Sequence, residues 1–187
     1  MQALQVLSLT LLSVLAANAQ TFRPGKCPQP PVQANFDTAR YLGKWYEIQK
    51  LPAIFQKGEC STATYSLKSP GVVGVLNRES NNTVNAITGY AKVKDPSEPA
   101  KLEVTFFEDS SPGPYWVLST DYEGHSVVYS CTEFLGAFHV DFAWILSREF
   151  NPKDQGVFTM PRKEGHLLVD GCLTNHVIRC MDSFGVQ

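Results

Sequence analysis

Along residues 138–147 apolar and polar positions alternate with a period of two. Phe138, Val140, Phe142, Trp144 and Leu146 fall on one face, and His139, Asp141, Ala143, Ile145 and Ser147 on the other. Successive side chains of an extended chain point to opposite sides, so this run predicts a strand. Its first face is wholly apolar and should look inward; the second is mixed and should meet solvent or a covering element. Leu102, Val104 and Phe106 alternate with Glu103, Thr105 and Phe107 in the same way, as do Ala63, Tyr65 and Leu67 with Thr62, Thr64 and Ser66. The reading gives strands near 44–51, 60–68, 72–78, 83–92, 101–107, 114–120, 125–131 and 138–147. Turn formers separate them: Ser69-Pro70-Gly71, Asn81-Asn82, Asp95-Pro96 and Ser111-Pro112-Gly113. Closely spaced strands without intervening helices predict an all-β antiparallel sandwich or barrel, not a parallel sheet. Ahead of them, Pro24, Pro28, Pro30 and Pro31 keep the chain extended. Residues 37–42 suit one helical turn capped by Asp37.

Composition adds a compartment. Residues 1–20 carry no charged side chain, and the apolar run Leu4–Leu15 is followed by the small-x-small sequence Ala17-Asn18-Ala19. That layout predicts a secretory signal peptide over residues 1–19 and a single extracellular domain over residues 20–187. The apolar run falls short of the roughly 20 residues a bilayer requires. Net charge is −2 in 187 residues, which leaves no basic footprint for nucleic acid. Aromatic residues make up 11%, enough to build a core or a pocket from rings.

Chemistry-bearing residues are sparse. Cys27, Cys60, Cys131, Cys172 and Cys180 imply two disulfides and one remaining thiol in a secreted chain, and sequence alone does not pair them. None forms a Cys-x-x-Cys pair, and His125, His166 and His176 lack metal-ligand spacing, so no metal or cofactor is expected. His139 and Asp141 share a strand face without a Ser or Cys nucleophile and read as surface polar residues. Asn81-Asn82-Thr83 is a glycosylation sequon in a hairpin turn, with Asn81 the acceptor.

Three motifs stand in order along the strands. Gly43-Lys44-Trp45-Tyr46 opens the first, Thr120-Asp121-Tyr122 ends the sixth, and Arg148 follows the eighth. In this order and spacing, behind a signal peptide, the chain resembles the lipocalin family. The resemblance implies an eight-stranded antiparallel up-and-down β-barrel with a C-terminal helical segment. That segment is expected to be short or broken, because Gly156 and Pro161 fall within it. It is placed to cover the face of Ala143 and Ile145. The resemblance also implies that Trp45 plugs the closed end with Arg148 packed across it, a cation–π contact of about 0.5–2 kcal/mol. Cys27–Cys131 and Cys60–Cys180 disulfides are implied too, leaving Cys172 as a buried thiol or an intermolecular cross-link.

The implied function is carriage of a small lipophile in the barrel, such as a steroid, fatty acid or bilin. An eight-stranded barrel is just wide enough to hold one such molecule. Tyr65, Asn77, Tyr115 and Trp144 are the implied pocket residues, and the inward faces add Val104, Phe106 and Phe142. Family members that dock on lipid carry an apolar loop where this chain reads Glu108-Asp109-Ser110-Ser111-Pro112-Gly113. Lipoprotein or membrane contact is therefore expected to be weak. Two alternatives stand beside the carrier: a scaffold that binds proteins through its loops, and a lipocalin-type isomerase. The isomerase needs a free pocket cysteine, and Cys60 is assigned to a disulfide by the resemblance, so no enzyme activity is expected.

Overall fold

The computed structural model describes residues 23–51, 53, 55, 60–81 and 83–149. A two-residue strand, β1 (Arg23–Pro24), and a helical turn, α1 (Thr38–Tyr41), precede eight longer strands. These are β2 (Gly43–Lys50), β3 (Cys60–Ser69), β4 (Val72–Asn81), β5 (Thr83–Val93), β6 (Lys101–Thr105), β7 (Gly113–Thr120), β8 (His125–Phe134) and β9 (Phe138–Ser147). Each of the eight pairs antiparallel with its sequence neighbour, and β9 closes the circle by pairing with both β8 and β2. The expected up-and-down barrel is the observed fold. β1 lies outside it, with Arg23 opposite His139 on β9.

Asp37 caps α1 as expected, accepting hydrogen bonds from the N–H groups of Ala39 (2.9 Å) and Arg40 (3.2 Å). One end of the barrel is formed where β2 begins and β9 ends. There Phe36, Tyr41, Trp45, Tyr65, Leu102, Val117, Val128 and Leu146 form one buried cluster. The other end carries the β4–β5 and β8–β9 hairpins. A disulfide between Cys27 and Cys131 ties the N-terminal arm to β8 across 104 residues of sequence. On the chain-entropy model a loop of this length stabilises by about 4–5 kcal/mol.

Several expectations need correction. Phe138 and Leu67, placed inward by alternation, are exposed because they lie at the two rims, beyond the enclosed part of their strands. β6 stops at Thr105, shorter than expected. His139 and Asp141 are not surface residues: both side chains are buried, with relative exposures of 7% and 5%. The His139 Nδ1–H donates to the Gly25 carbonyl at 2.9 Å. The Asp141 carboxylate accepts from the Tyr129 hydroxyl and lies 3.4 Å from Arg23 Nε and 3.6 Å from His139 Nε2. This cluster pins the N-terminal arm to the outside of the barrel. Ala143 and Ile145 on the same face are also buried. The signal peptide, the C-terminal helical segment, Cys172 and the Cys60–Cys180 disulfide lie outside the described residues and side chains.

Candidate functional site

The closed end is built from the three motifs. Trp45 is fully buried and donates its indole N–H to the Tyr41 carbonyl at 2.9 Å. The Arg148 guanidinium stacks on the Trp45 ring, 3.8 Å from its centroid. It also donates to three carbonyls: Nε to Tyr122 at 2.9 Å, Nη1 to Lys44 at 3.1 Å and Nη2 to Arg40 at 3.0 Å. One planar fork thus joins α1, β2 and the β7–β8 turn. Gly43 has a φ of +99°, and a Cβ there would stand 3.0 Å from Arg148 Nη1. Glycine is needed for both the backbone angle and the approach of the guanidinium.

Thr120, Asp121 and Tyr122 shape the turn opposite. The Asp121 carboxylate accepts the N–H groups of Glu123 (3.2 Å), Gly124 (2.8 Å) and His125 (2.8 Å). Partial burial raises its pKa, but the backbone donors of His125 and Gly124 outweigh that and hold the carboxyl below its usual value. Thr120 Oγ1 donates to the His125 carbonyl and accepts the Tyr122 N–H. The Tyr122 hydroxyl accepts the Asp37 N–H, and its ring stacks on Phe36. These family-motif residues form a structural floor.

Above the plug, Tyr65 and Tyr115 meet, their hydroxyls sharing a 2.7 Å hydrogen bond. Tyr41 joins them, 3.0 Å from the Tyr115 hydroxyl and 3.0 Å from Ser126 Oγ. Tyr41 and Ser126 went unrecognised in the sequence, because a hydroxyl network between non-adjacent strands leaves no periodic signal. Burial pushes the Tyr41 phenol up to about 12, although Ser126, Tyr115 and the Arg148 charge pull the other way. Burial, then the neighbouring Tyr41, drives Tyr65 further upward, and Tyr115 is raised by burial and both neighbours. The hydroxyls therefore stay protonated at neutral pH and act as mutual donors and acceptors. Beside them is a cavity of about 10 Å³ lined by Phe36, Tyr41, Leu42, Tyr65, Leu102 and Tyr115, among others. That is the room of one water molecule, so this end is packed and not ligand-sized.

The remaining expected pocket residues lie on the interior faces higher up. Val104, Phe106 and Trp144 pack against the buried cluster. Phe142 stacks on Trp144 with centroids 6.2 Å apart, and Phe55 meets Phe142 at 5.1 Å. Asn77 stands opposite Ala63, itself opposite the inward Trp45, so it faces the interior. Its Oδ1 is buried and makes no hydrogen bond, a condition that ordinarily signals a missing partner. The upper interior is thus an aromatic wall with an unsatisfied acceptor. Tyr65 and Tyr115 belong to the packed floor, with their hydroxyls already engaged. Among the described residues no His, Cys, Asp or Glu cluster could hold a metal, and no helix is long and apolar enough to cross a membrane. Asn81 closes β4 opposite Thr83, in the expected hairpin.

A family model described as a lipocalin-like domain matches residues 36–165. Apolipoprotein D of Mus musculus is 57% identical over 134 residues, 71% of this chain and 71% of the relative. The Lazarillo protein of Schistocerca americana is 34% identical over 166 residues, 86% of this chain and 75% of that protein. Among solved structures, insecticyanin from the tobacco hornworm Manduca sexta superposes with a TM-score of 0.61 at 29% identity, covering 68% of this chain and 71% of that one.

Proposed function

The chain belongs to the lipocalin family, and from that premise we propose that it is a secreted carrier whose barrel takes one small lipophile. The ligand lies against Trp144, Phe142, Val104 and Phe106, with a polar group toward Asn77. The observation that carries this reading is the unpartnered Asn77 Oδ1 buried in the barrel beside an aromatic wall. A ligand hydroxyl or amide N–H would satisfy it, while apolar burial drives binding at about 25 cal/mol per Å² before association costs. Similarity to apolipoproteins supports a lipid-handling rather than a catalytic role. Removal of residues 1–19, glycosylation at Asn81 and a Cys60–Cys180 disulfide belong to the same reading.

The test is quenching of tryptophan fluorescence by a steroid, a fatty acid and a bilin, in wild type and in Trp144→Phe. Saturable quenching that Trp144→Phe largely abolishes is expected. No response to any of the three would remove the carrier reading.

Contact with a lipid surface is a second reading, and a specific observation favours it. The loop at 108–113 is polar, yet Phe134, Leu135 and Phe138 are exposed on the β8–β9 turn, and Phe107, Val84 and Phe55 are exposed on other open-end segments around the barrel. An exposed apolar rim of this kind suits a lipid surface. Flotation with phosphatidylcholine vesicles should retain wild type and lose Leu135→Asp; equal flotation of the two would exclude the rim.

A further inference from the structure

The outer wall of β2–β5 carries one sign of charge. Trp45, Val73, Val75 and Ala91 belong to the buried interior cluster, so their sequence neighbours turn outward. The outward positions of these four strands include Lys44, Lys68, Arg78 and Lys92, all exposed, and among the described residues no Asp or Glu. Glu47 stands opposite the interior Leu146, and Glu79 shares the inward face of Asn77, so the described acids of these strands lie on the other side. The first carboxylate beyond the wall is Glu103 on β6, opposite Lys92, and Lys94 Nζ holds it at 2.6 Å. The whole chain has a net charge of −2. The cationic wall is therefore a local asymmetry and not a reflection of composition.

At the centre of the wall is a notch. Gly74 stands between Ser66 and Tyr90 of the neighbouring strands and puts no side chain between them. A Cβ there would lie 2.9 Å from Ser66 Oγ and 3.2 Å from Lys68 Cγ, so the Lys68 stem lies across the glycine. On the other side Lys92 Nζ stands 5.0 Å from the Tyr90 ring centroid. Two lysines on strands roughly 10 Å apart thus flank a floor of backbone, one hydroxyl and one ring. We propose that this wall binds a sulfated polysaccharide, with one sulfate seated over Gly74 between Lys68 and Lys92, and with Arg78 and Lys44 meeting further anions of the same chain. Each ammonium offers three donors to sulfate oxygens, and the Tyr90 ring gives a sugar an apolar face with a polar tip. A bilayer fits this wall less well, because surface binding of that kind pairs cations with inserted apolar side chains. The exposed phenylalanines, Phe55, Phe107, Phe134 and Phe138, stand instead on the open-end segments. The site is on the outside of the barrel and does not depend on the carrier reading.

The experiment uses the full, disulfide-intact chain on immobilised heparin at about 0.1 M salt, where exposed charges are screened beyond roughly 10 Å. Wild type should be retained despite its negative net charge, and fully desulfated heparin should not hold it. An exposed lysine–sulfate contact contributes up to about fivefold in affinity, so Lys68→Gln with Lys92→Gln should bind about tenfold more weakly. Lys68→Gln alone should weaken binding, and Lys68→Arg should not. Lys26→Gln, an equal loss of charge on the N-terminal arm, should bind like wild type. No retention of wild type would overturn the proposal. Equal weakening by Lys26→Gln and Lys68→Gln would overturn it too, since net charge would then explain the binding. Phosphatidylserine vesicles are the competing probe: flotation that the double variant abolishes, without retention on heparin, would assign the wall to an anionic bilayer and refute the polysaccharide. Should the double variant lose its near-ultraviolet dichroism, the single variants and the desulfated probe decide.

Discussion

Replacing Arg148 by lysine keeps the positive charge and discards the planar fork. In the native chain the guanidinium lies 3.8 Å from the Trp45 centroid and donates to the carbonyls of Tyr122, Lys44 and Arg40. The stacking contributes about 0.5–2 kcal/mol. Each charge-assisted hydrogen bond contributes about 1.5–3 kcal/mol when dry. This site is partly open to water, and an ammonium can keep one of the three bonds. Both facts reduce the loss, and the net destabilisation comes to about 2–4 kcal/mol. In a domain of this size each kcal/mol moves the melting temperature by about 2–4 °C, so a drop of about 4–16 °C is expected. Urea unfolding followed by tryptophan fluorescence measures it, with the Cys27–Cys131 disulfide intact. A double-mutant cycle with Trp45→Leu should return a coupling of about 0.5–2 kcal/mol. If Arg148→Lys falls within about 0.5 kcal/mol of wild type, as ordinary surface changes do, the fork does not hold the closed end together.

The other expectations follow from the same geometry. Gly43→Ala should destabilise by about 1–3 kcal/mol in thermal melts, because alanine is strained at a φ of +99° and its methyl would push Arg148 aside; an unchanged melt would contradict this. Cys27→Ser with Cys131→Ser should lower stability in denaturant titrations by up to about 4–5 kcal/mol, whereas an undiminished midpoint would show that the arm needs no staple. The buried tyrosines should make the fold alkali-labile. Tyr41 has its folded pKa raised from 10.0 to about 12, so its share of stability is complete below 10 and is lost as pH rises toward 12. Absorbance at the tyrosinate band should therefore rise in two steps, the later one coinciding with loss of near-ultraviolet dichroism; a single early step would refute the buried network.

Much of the fold was legible because eight strands with one enclosed face impose a two-residue period. Turn formers then marked their ends, and the Gly43–Trp45 and Arg148 positions marked the closed end. Reading failed where geometry departs from local period. Phe138 and Leu67 obey the alternation yet lie past the rims. Lys50 departs from it and stands opposite the inward Trp144 because the register shifts after Glu47, and no residue type announces that shift. His139 and Asp141 looked solvent-facing because the arm that covers them joins at Arg23, more than a hundred residues earlier in the chain. The interior faces were legible in part. Aromatic residues at inward positions were found, but Tyr65 and Tyr115 belong to a packed floor through contacts with Tyr41 and Ser126 that only the closed barrel creates.

The Cys27–Cys131 bond also sets how the molecule bears mechanical load. A pull applied at Arg23 passes through Cys27 straight into β8, so the chain from β2 to β7 stays slack inside the covalent loop. The 104-residue separation hides about 360 Å of contour length, at roughly 3.5 Å per residue, that stretching releases only after reduction.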